Sequence, residues 1–336
     1  MTNIRTVAER SNVSIATVSR VLNNHNNVSD ETRMLVLQAA QELGYPVPDA
    51  SRGQRVFRTV LVLMIQTTEP AGRGRSVDGT FESVVWSGIE PALAAKGVAT
   101  KLQQSPMTPA DADRLATEAG VAGVIILGGL IGHEFLARLQ ERSVPFVMVG
   151  SHAHPLHTNY VMADVIGGIR QAVDHLAARG RRRIAFVNGP PTTGTSAGKL
   201  DGYRLALATH DLPYRTAGVA AAEFTPDSGY EQTAKLLRAD PTLDAIAYGD
   251  DRMAIGGLKA LREARRRVPQ DVAVTGFGHL DIARFVVPTL TTVEFDLQAM
   301  GKKAAQRLYD LLEDPDDYTW GIIEPTRLIA GESTAG

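Results

Sequence analysis

From residue 60 onward, short unbroken apolar runs alternate with longer segments in which apolar residues return every three or four positions. The runs are VLVLMI (60–65), VAGVIIL (121–127), VPFVMVG (144–150), RIAFVNG (183–189), AIAYGD (245–250) and VAVTGFG (272–278). Runs of this length and purity suit strands covered on both faces, so the pattern predicts parallel sheets lying between helices. Segments such as VVWSGIEPALAAKG, IRQAVDHLAARG and MAIGGLKALREA carry the helical period and stop near glycine or basic residues. Two sets of such units predict two doubly wound subdomains, with a ligand site facing the strand C-termini between them.

The first 45 residues follow a different pattern. Val7 and Ala8 are the apolar pair of a short helix running to about Arg10, and Ser11-Asn12-Val13 reads as a tight turn. Ser14 is an N-cap for a second helix, in which Val18, Val21 and Leu22 fall at i, i+3 and i+4 on one buried stripe. The opposite side carries Ala16, Ser19, Arg20 and Asn23, flanked by Ile15 and Thr17. Small side chains let such a helix sit deep in a DNA major groove about 12 Å wide. Thr17, Ser19 and Asn23 offer hydroxyls and an amide to phosphate oxygens. Arg20 is the one long planar donor, suited to guanine O6 and N7, and Ile15 and Ala16 can touch thymine methyls. A third helix begins at Ser29-Asp30-Glu31, buries Val36, Ala40 and Leu43, and stops at Gly44 with Tyr45-Pro46. Three helices in this space predict a helix-turn-helix head over 1–45.

Composition sharpens this picture. A chain of 336 residues, 44% hydrophobic, holds more than one domain of typical size. Cysteine is absent, which excludes disulfides and thiolate metal sites. The opening MTNIRTVAERSN has no apolar core of a secretory signal, and no window approaches a membrane span of ~18 apolar residues, so a cytoplasmic protein is expected. Net charge is −2, but residues 1–58 carry +2 and the remainder −4. The asymmetry points toward DNA for the head.

VAERSNVSIATVSRVLN followed by VSDETRMLVLQAAQELGY closely resembles the DNA-binding head of the lac repressor-like (LacI/GalR) family, without gaps over residues 3–45. The resemblance implies that Ile15, Ala16 and Arg20 read base edges. It also implies that Ile4, Ser14, Thr17, Ser19, Asn23, Asn27 and Thr32 lie along the phosphates. The stretches SGIEPALAAKG, DHLAARGRRRIAFVNGP, DGYRLAL, GDDRMAIGGLKALREARRRVPQDVAVTGFG and PTLTTVEFDLQAMGKKAA resemble successive blocks of the family's effector-binding core, which is similar to periplasmic sugar-binding proteins. This implies a core over 60–331 whose chain crosses between halves near 159–162, 290–293 and 322–325. One subdomain then takes about 60–160 and 292–322, the other about 161–291 and 323–331. It further implies a homodimer on a palindromic operator, with a sugar or sugar derivative as effector.

Between head and core, residues 46–59 (PVPDASRGQRVFRT) match the length of the family's hinge, which wedges a leucine into the minor groove. Here Gln54 stands at the wedge position, behind Gly53, and Pro48 replaces a usual asparagine. Arg52, Arg55 and Arg58 can hold phosphates. The segment reads either as a hinge helix, with Val56 as a substitute wedge, or as a tether.

The loops after the strands supply the effector candidates: Gln66 to Glu69, Phe81, Gly128, Ser151, Asn188, Lys199, Phe224, Asp250, Asp251 and His279. Lys199 stands where the family usually grips its effector with arginine, which exchanges a planar fork for a point charge. Asp250 stands at a frequent asparagine. Asp251 matches the family's aspartate and also reads as a helix cap, while Gly278-His279 replaces a usual Asp-Asp pair. The loop TTEPAGRGRSVDGT (67–80) brings Arg73 and Arg75. His152, His154 and His157 lie close in sequence, but nothing fixes a metal geometry among them. RGRRR (179–183) ends a helix, where basic residues are ordinary.

The expected function is a ligand-responsive DNA-binding regulator, most simply a repressor, with no metal or cofactor. A solute-binding protein of a transport system is the alternative, against which the head and the absent signal argue. No nucleophile–base motif or phosphate-binding glycine loop supports an enzyme.

Overall fold

The computed structural model describes residues 4–22, 28–45, 59–65, 81–128, 131–152, 156–315 and 318–335. They fall into two units divided after residue 57.

The first unit holds α1 (Ile4–Ser11), α2 (Ile15–Leu22) and α3 (Asp30–Glu42). Its core is Val7 and Ala8 of α1, Val18 and Val21 of α2, and Val36, Ala39 and Ala40 of α3, with Leu43 and Tyr45 packed at the margin. The side chain of Leu22, the third residue of the expected stripe, lies outside the described residues. Asn12 closes the first turn at φ 52°, a left-handed conformation that asparagine tolerates. Gly44 ends α3 at φ 60°.

In the second unit the elements run β1 (Thr59–Ile65), α4 (Phe81–Ala94), β2 (Ala99–Ser105), α5 (Pro109–Thr117), β3 (Val121–Leu127), α6 (His133–Glu141), β4 (Phe146–Val149) and β5 (Asn159–Ala163). Then come α7 (Val165–Ala178), β6 (Ile184–Asn188), α8 (Gly194–Thr209), β7 (Val219–Ala221), α9 (Pro226–Ala239), β8 (Ala245–Tyr248), α10 (Asp251–Glu263) and β9 (Ala273–Phe277). The series closes with β10 (Thr291–Glu294), α11 (Leu297–Glu313), β11 (Gly321–Glu324) and β12 (Arg327–Ile329). One sheet is ordered β11-β5-β4-β3-β1-β2 and the other β12-β10-β9-β8-β6-β7. All six apolar runs of the sequence became strands. The six further strands carry weaker patterns: β2 is the polar ATKLQQS at a sheet edge, and β7 and β12 have three residues each.

The two sheets share one plan but differ at their last strand. β11 pairs parallel to β5, whereas β12 pairs antiparallel to β10, so the second sheet is not purely parallel as expected. The cause is connectivity. β11 and β12 are joined by only Pro325 and Thr326, so a chain leaving the first sheet at its strand C-termini enters the second from its C-terminal side. The other two passages, at Asp164 and at Phe295-Asp296, also follow strand ends. The first two lie just beyond the positions implied by resemblance, because β5 and β10 occupy those positions themselves, and the passage at 325–326 begins at the end of the implied 322–325.

Helices cover both sheets, and several seat backbone on backbone. A Cβ at Gly88 of α4 would lie 2.0 Å from the Gln298 carbonyl oxygen, and one at Gly301 of α11 would lie 2.1 Å from that of Val85. Gly229 and Gly256 do the same between α9 and α10. Any side chain at these points would force the helices apart.

Candidate nucleic-acid interface and ligand cleft

In the head, the turn before α2 is fixed by Val13 N–H donating to the Ala8 carbonyl at 3.1 Å. Ser14 Oγ accepts from Thr17 N–H at 3.0 Å, the expected cap, and shares a 2.8 Å hydrogen bond with the Thr17 hydroxyl. Ser29 repeats the device on α3, with Thr32 N–H at 3.3 Å and the Thr32 hydroxyl at 2.8 Å. Two helix N-termini therefore carry Ser-x-x-Thr caps, and such ends favour anions through their free N–H groups and dipole. The outer face of α2 presents Arg20 and Ile15, the latter 45% exposed despite its size. Thr17 and Ser19 are half-buried beside them. Arg10 grips Glu42 of α3 through Nε and Nη2 at 3.1 and 2.7 Å, which locks α1 to α3 and holds the Glu42 carboxyl below its usual range. The side chains of Ile4 and Ala16, together with Asn23, Asn27, Arg52, Gln54 and Arg55, lie outside the described residues. So does the remainder of 46–58.

In the core, the C-terminal ends of β6, β8 and β9 gather a tight polar cluster. Lys199 lies buried on α8, where Nζ donates to the Gly249 carbonyl at 2.7 Å. The rings of Phe277 and Phe224 stand 4.5 and 5.4 Å from that nitrogen. Burial pulls the Lys199 pKa down to about 8. Asn188 donates from Nδ2 to the Ser196 carbonyl at 2.8 Å and accepts Gly189 N–H on Oδ1 at 2.9 Å. Phe224 leans over Gly189, where a Cβ would lie 2.2 Å from its ring.

The cap that the sequence offered as an alternative role for Asp251 belongs to Asp250. Asp250 is the cap of α10, accepting Arg252 N–H at 2.8 Å, and its carboxylate forks onto Arg252 Nε and Nη2 at 2.9 Å each. Asp251 is not the cap. It is buried, and it ties the helix to the neighbouring strand by accepting from the Thr292 hydroxyl at 2.6 Å and from Leu280 N–H at 2.8 Å. Burial pushes its pKa up to about 7. His279 follows Gly278 in a left-handed turn, with Nε2 3.8 Å from Glu294 and Nδ1 buried without a partner among the described residues.

The facing wall comes from the other half of the core. Phe81 opens α4, and its ring lies against Gly150. Ser151 is buried, with Oγ 3.4 Å from the His152 carbonyl. The His152 ring presses on Gly194, the first residue of α8, so the two halves touch there. Glu82 lies within electrostatic reach of Arg252 on the opposite wall. Lys199, Asn188 and Phe224 thus form one contact group with Asp250 beside it, Asp251 and His279 sit toward β10, and Phe81 and Ser151 belong to the far wall. Phe277 and Arg252 were absent from the sequence candidates. An aromatic closing an apolar strand, and a cation two residues after a helix-capping carboxylate, were the available signals. Gly128 is described at the end of β3, whereas 66–80 lies outside the described residues. His157 is exposed, and its carbonyl accepts from Gln140. His154 falls outside the described residues. Among those described, no group of three or more His, Asp or Glu is placed to hold a metal ion, and no helix is long and apolar enough to cross a membrane.

Residues 3–48 match the family described as bacterial regulatory proteins, lacI family, and residues 173–334 match the periplasmic binding protein-like domain. The HTH-type transcriptional regulator CelR of Thermobifida fusca is 33% identical, over 96% of this chain and 94% of its own. The HTH-type transcriptional repressor PurR of Escherichia coli O139:H28 is 29% identical, over 100% of this chain and 97% of its own. A solved complex of CelR with cellobiose superposes with a TM-score of 0.73 at 30% identity, covering 99% of this chain and 100% of that one.

Proposed function

The chain belongs to the lacI family of bacterial regulatory proteins, and we propose that it is a transcriptional repressor controlled by a small carbohydrate bound between the halves of its core. It reads palindromic operator DNA as a homodimer. In this reading Arg20 and Ile15 contact base edges, with Ala16 beside them. Ser14, Thr17, Ser19 and Thr32 line phosphates at the two capped helix ends, joined by Ile4, Asn23 and Asn27. Arg52, Gln54 and Arg55 belong to the hinge. The chain performs no catalysis.

The observation that carries the ligand reading is the setting of Lys199. A lysine buried among two aromatic rings, with one carbonyl as its hydrogen-bond partner among the described residues, keeps donors for a hydroxylated ligand. Phe224 and Phe277 offer ring faces to a sugar, and Asn188, Asp250, Asp251, Ser151, His279 and Phe81 frame the cleft. The cellobiose complex of a 30% identical relative supports a carbohydrate. The exposed Phe285 and Val287, at 75% and 92%, together with Ile282, offer an apolar surface for a second copy.

Ligand bound to both walls shifts the equilibrium between core conformations, and operator affinity follows by linkage. The test is fluorescence anisotropy of the full chain on its own upstream DNA at fixed salt, titrated with mono- and disaccharides, cellobiose first. Release by one sugar, lost in Lys199→Ala with operator affinity retained, is expected. Sugar release that persists in Lys199→Ala would overturn the cleft assignment.

A further inference from the structure

At the opposite end of the strands from the cleft, the second sheet carries another cavity, of about 310 Å³. That volume falls at the small end of the range for ligand sites. The floor is apolar: Ile184, which begins β6, with Leu207, Leu236 and Leu243. The rim is cationic: Arg182, Arg183 and Arg215, against Asp240 as the one carboxylate of the lining.

The rim is organised. Asp240 Oδ2 accepts from Arg183 Nη2 at 2.6 Å and lies 3.6 Å from Arg215 Nη1, so one carboxylate holds two guanidiniums side by side. The Thr242 hydroxyl and Arg183 hold the Asp240 pKa down at about 2, which keeps that anchor charged. Asp244, beside the lining, is taken up by the backbone N–H groups of Arg182 and Arg183 at 2.8 and 2.9 Å. Arg183 Nε is buried with no partner among the described residues. Arg182 Nη1 is turned to the Ala177 carbonyl at 3.1 Å, so Arg183 and Arg215 are the guanidinium pair that stands above the apolar floor. Three arginines against Asp240 and Asp244 leave the rim cationic by one charge.

We infer that this cavity is a second ligand site, separate from the carbohydrate cleft, and that it takes a small phosphate monoester with an apolar body. Paired guanidiniums match the oxygens of a phosphate group. The cationic excess of the rim draws an anion, and the leucine-lined floor accepts an aryl or alkyl group.

Isothermal titration calorimetry of the full chain tests this with phenyl phosphate, inorganic phosphate and benzoate. Phenyl phosphate is expected to saturate one site per chain. Arg215→Gln removes one fork and should weaken it about tenfold. Ala239→Trp places a ring in the lining and should abolish binding. Residues 215 and 239 are both exposed, so both variants should keep the wild-type circular dichroism spectrum. Inorganic phosphate binding as tightly as phenyl phosphate would remove the role of the floor and overturn the assignment. Benzoate binding as tightly would overturn the choice of phosphate over carboxylate. Phenyl phosphate binding that both variants leave untouched, or no binding at all, would overturn the site.

Discussion

Arg20 and Ile15 stand exposed on the outside of α2, whereas Asn188, Lys199, Asp250 and Asp251 in the core are each hydrogen-bonded within the protein. The head leaves Arg20 and Ile15 displayed, while Ser14, Thr17 and Thr32 bond within its own caps. The cleft holds its polar groups in internal pairs, which a ligand must join or displace. A displayed face costs the fold little when mutated and the partner much, whereas a change in the paired cluster also moves folding stability, in either direction.

The largest effect expected from this contrast is a pH slope at Asp251. Its folded pKa, about 7, lies above the model-peptide value of 3.8, so the folded state holds the proton more tightly. That contribution to stability is full below about pH 4 and is lost as pH rises toward and through 7, at up to about 1.4 kcal/mol per pH unit. Asp251→Asn should lack the slope. Urea unfolding of both proteins between pH 4.5 and 7.5 measures the difference, and parallel curves would mean that Asp251 is not confined as described.

Next comes Lys199→Met. The folded pKa of about 8 lies below the ordinary 10.5, so burial favours the neutral amine. That stabilisation is present above about 10.5 and is lost as pH falls through 8. At pH 7 the charged, buried lysine therefore costs about 3 kcal/mol, which the methionine variant should recover in thermal melts. A less stable variant would show that the Gly249 hydrogen bond outweighs burial.

In the head the expected loss falls on binding. Arg20→Ala should cost about 1–3 kcal/mol of operator affinity, concentrated at one base pair and with little change in folding. Equal weakening on every sequence would move Arg20 to a phosphate-holding role. The smallest effect is Arg10→Ala. It breaks an exposed pair with Glu42, 60% and 40% accessible, and should move the melting temperature slightly at low salt and not at high salt.

The same contrast explains what was legible in the chain. The α2 stripe of Val18 and Val21, the Ser14 cap and the outward Arg20 follow from spacing within one helix, so a local pattern suffices. The six strong strands were equally local. In the cleft, Lys199 finds its carbonyl 50 residues away and Asp251 its hydroxyl 41 residues away. Such partners have no periodicity to betray them, and the helix cap offered for Asp251 accordingly falls one residue earlier, on Asp250. The edge strand β2 escaped because its outer face is polar, and β12 because its direction is set by its connection to β11.

The glycine contact between α4 and α11 has a consequence for biosynthesis. Gly88 leaves the ribosome 213 residues ahead of Gly301, with the four helices and five strands from α7 to β10 made in between. The first half of the core must wait, on the order of ten seconds at ~5–20 residues per second, with the α4 backbone uncovered and β5 lacking its partner β11. The second half receives nearly all of its strands in one continuous stretch. It is therefore the half equipped to fold first, and the N-terminal half closes around a neighbour that is already in place.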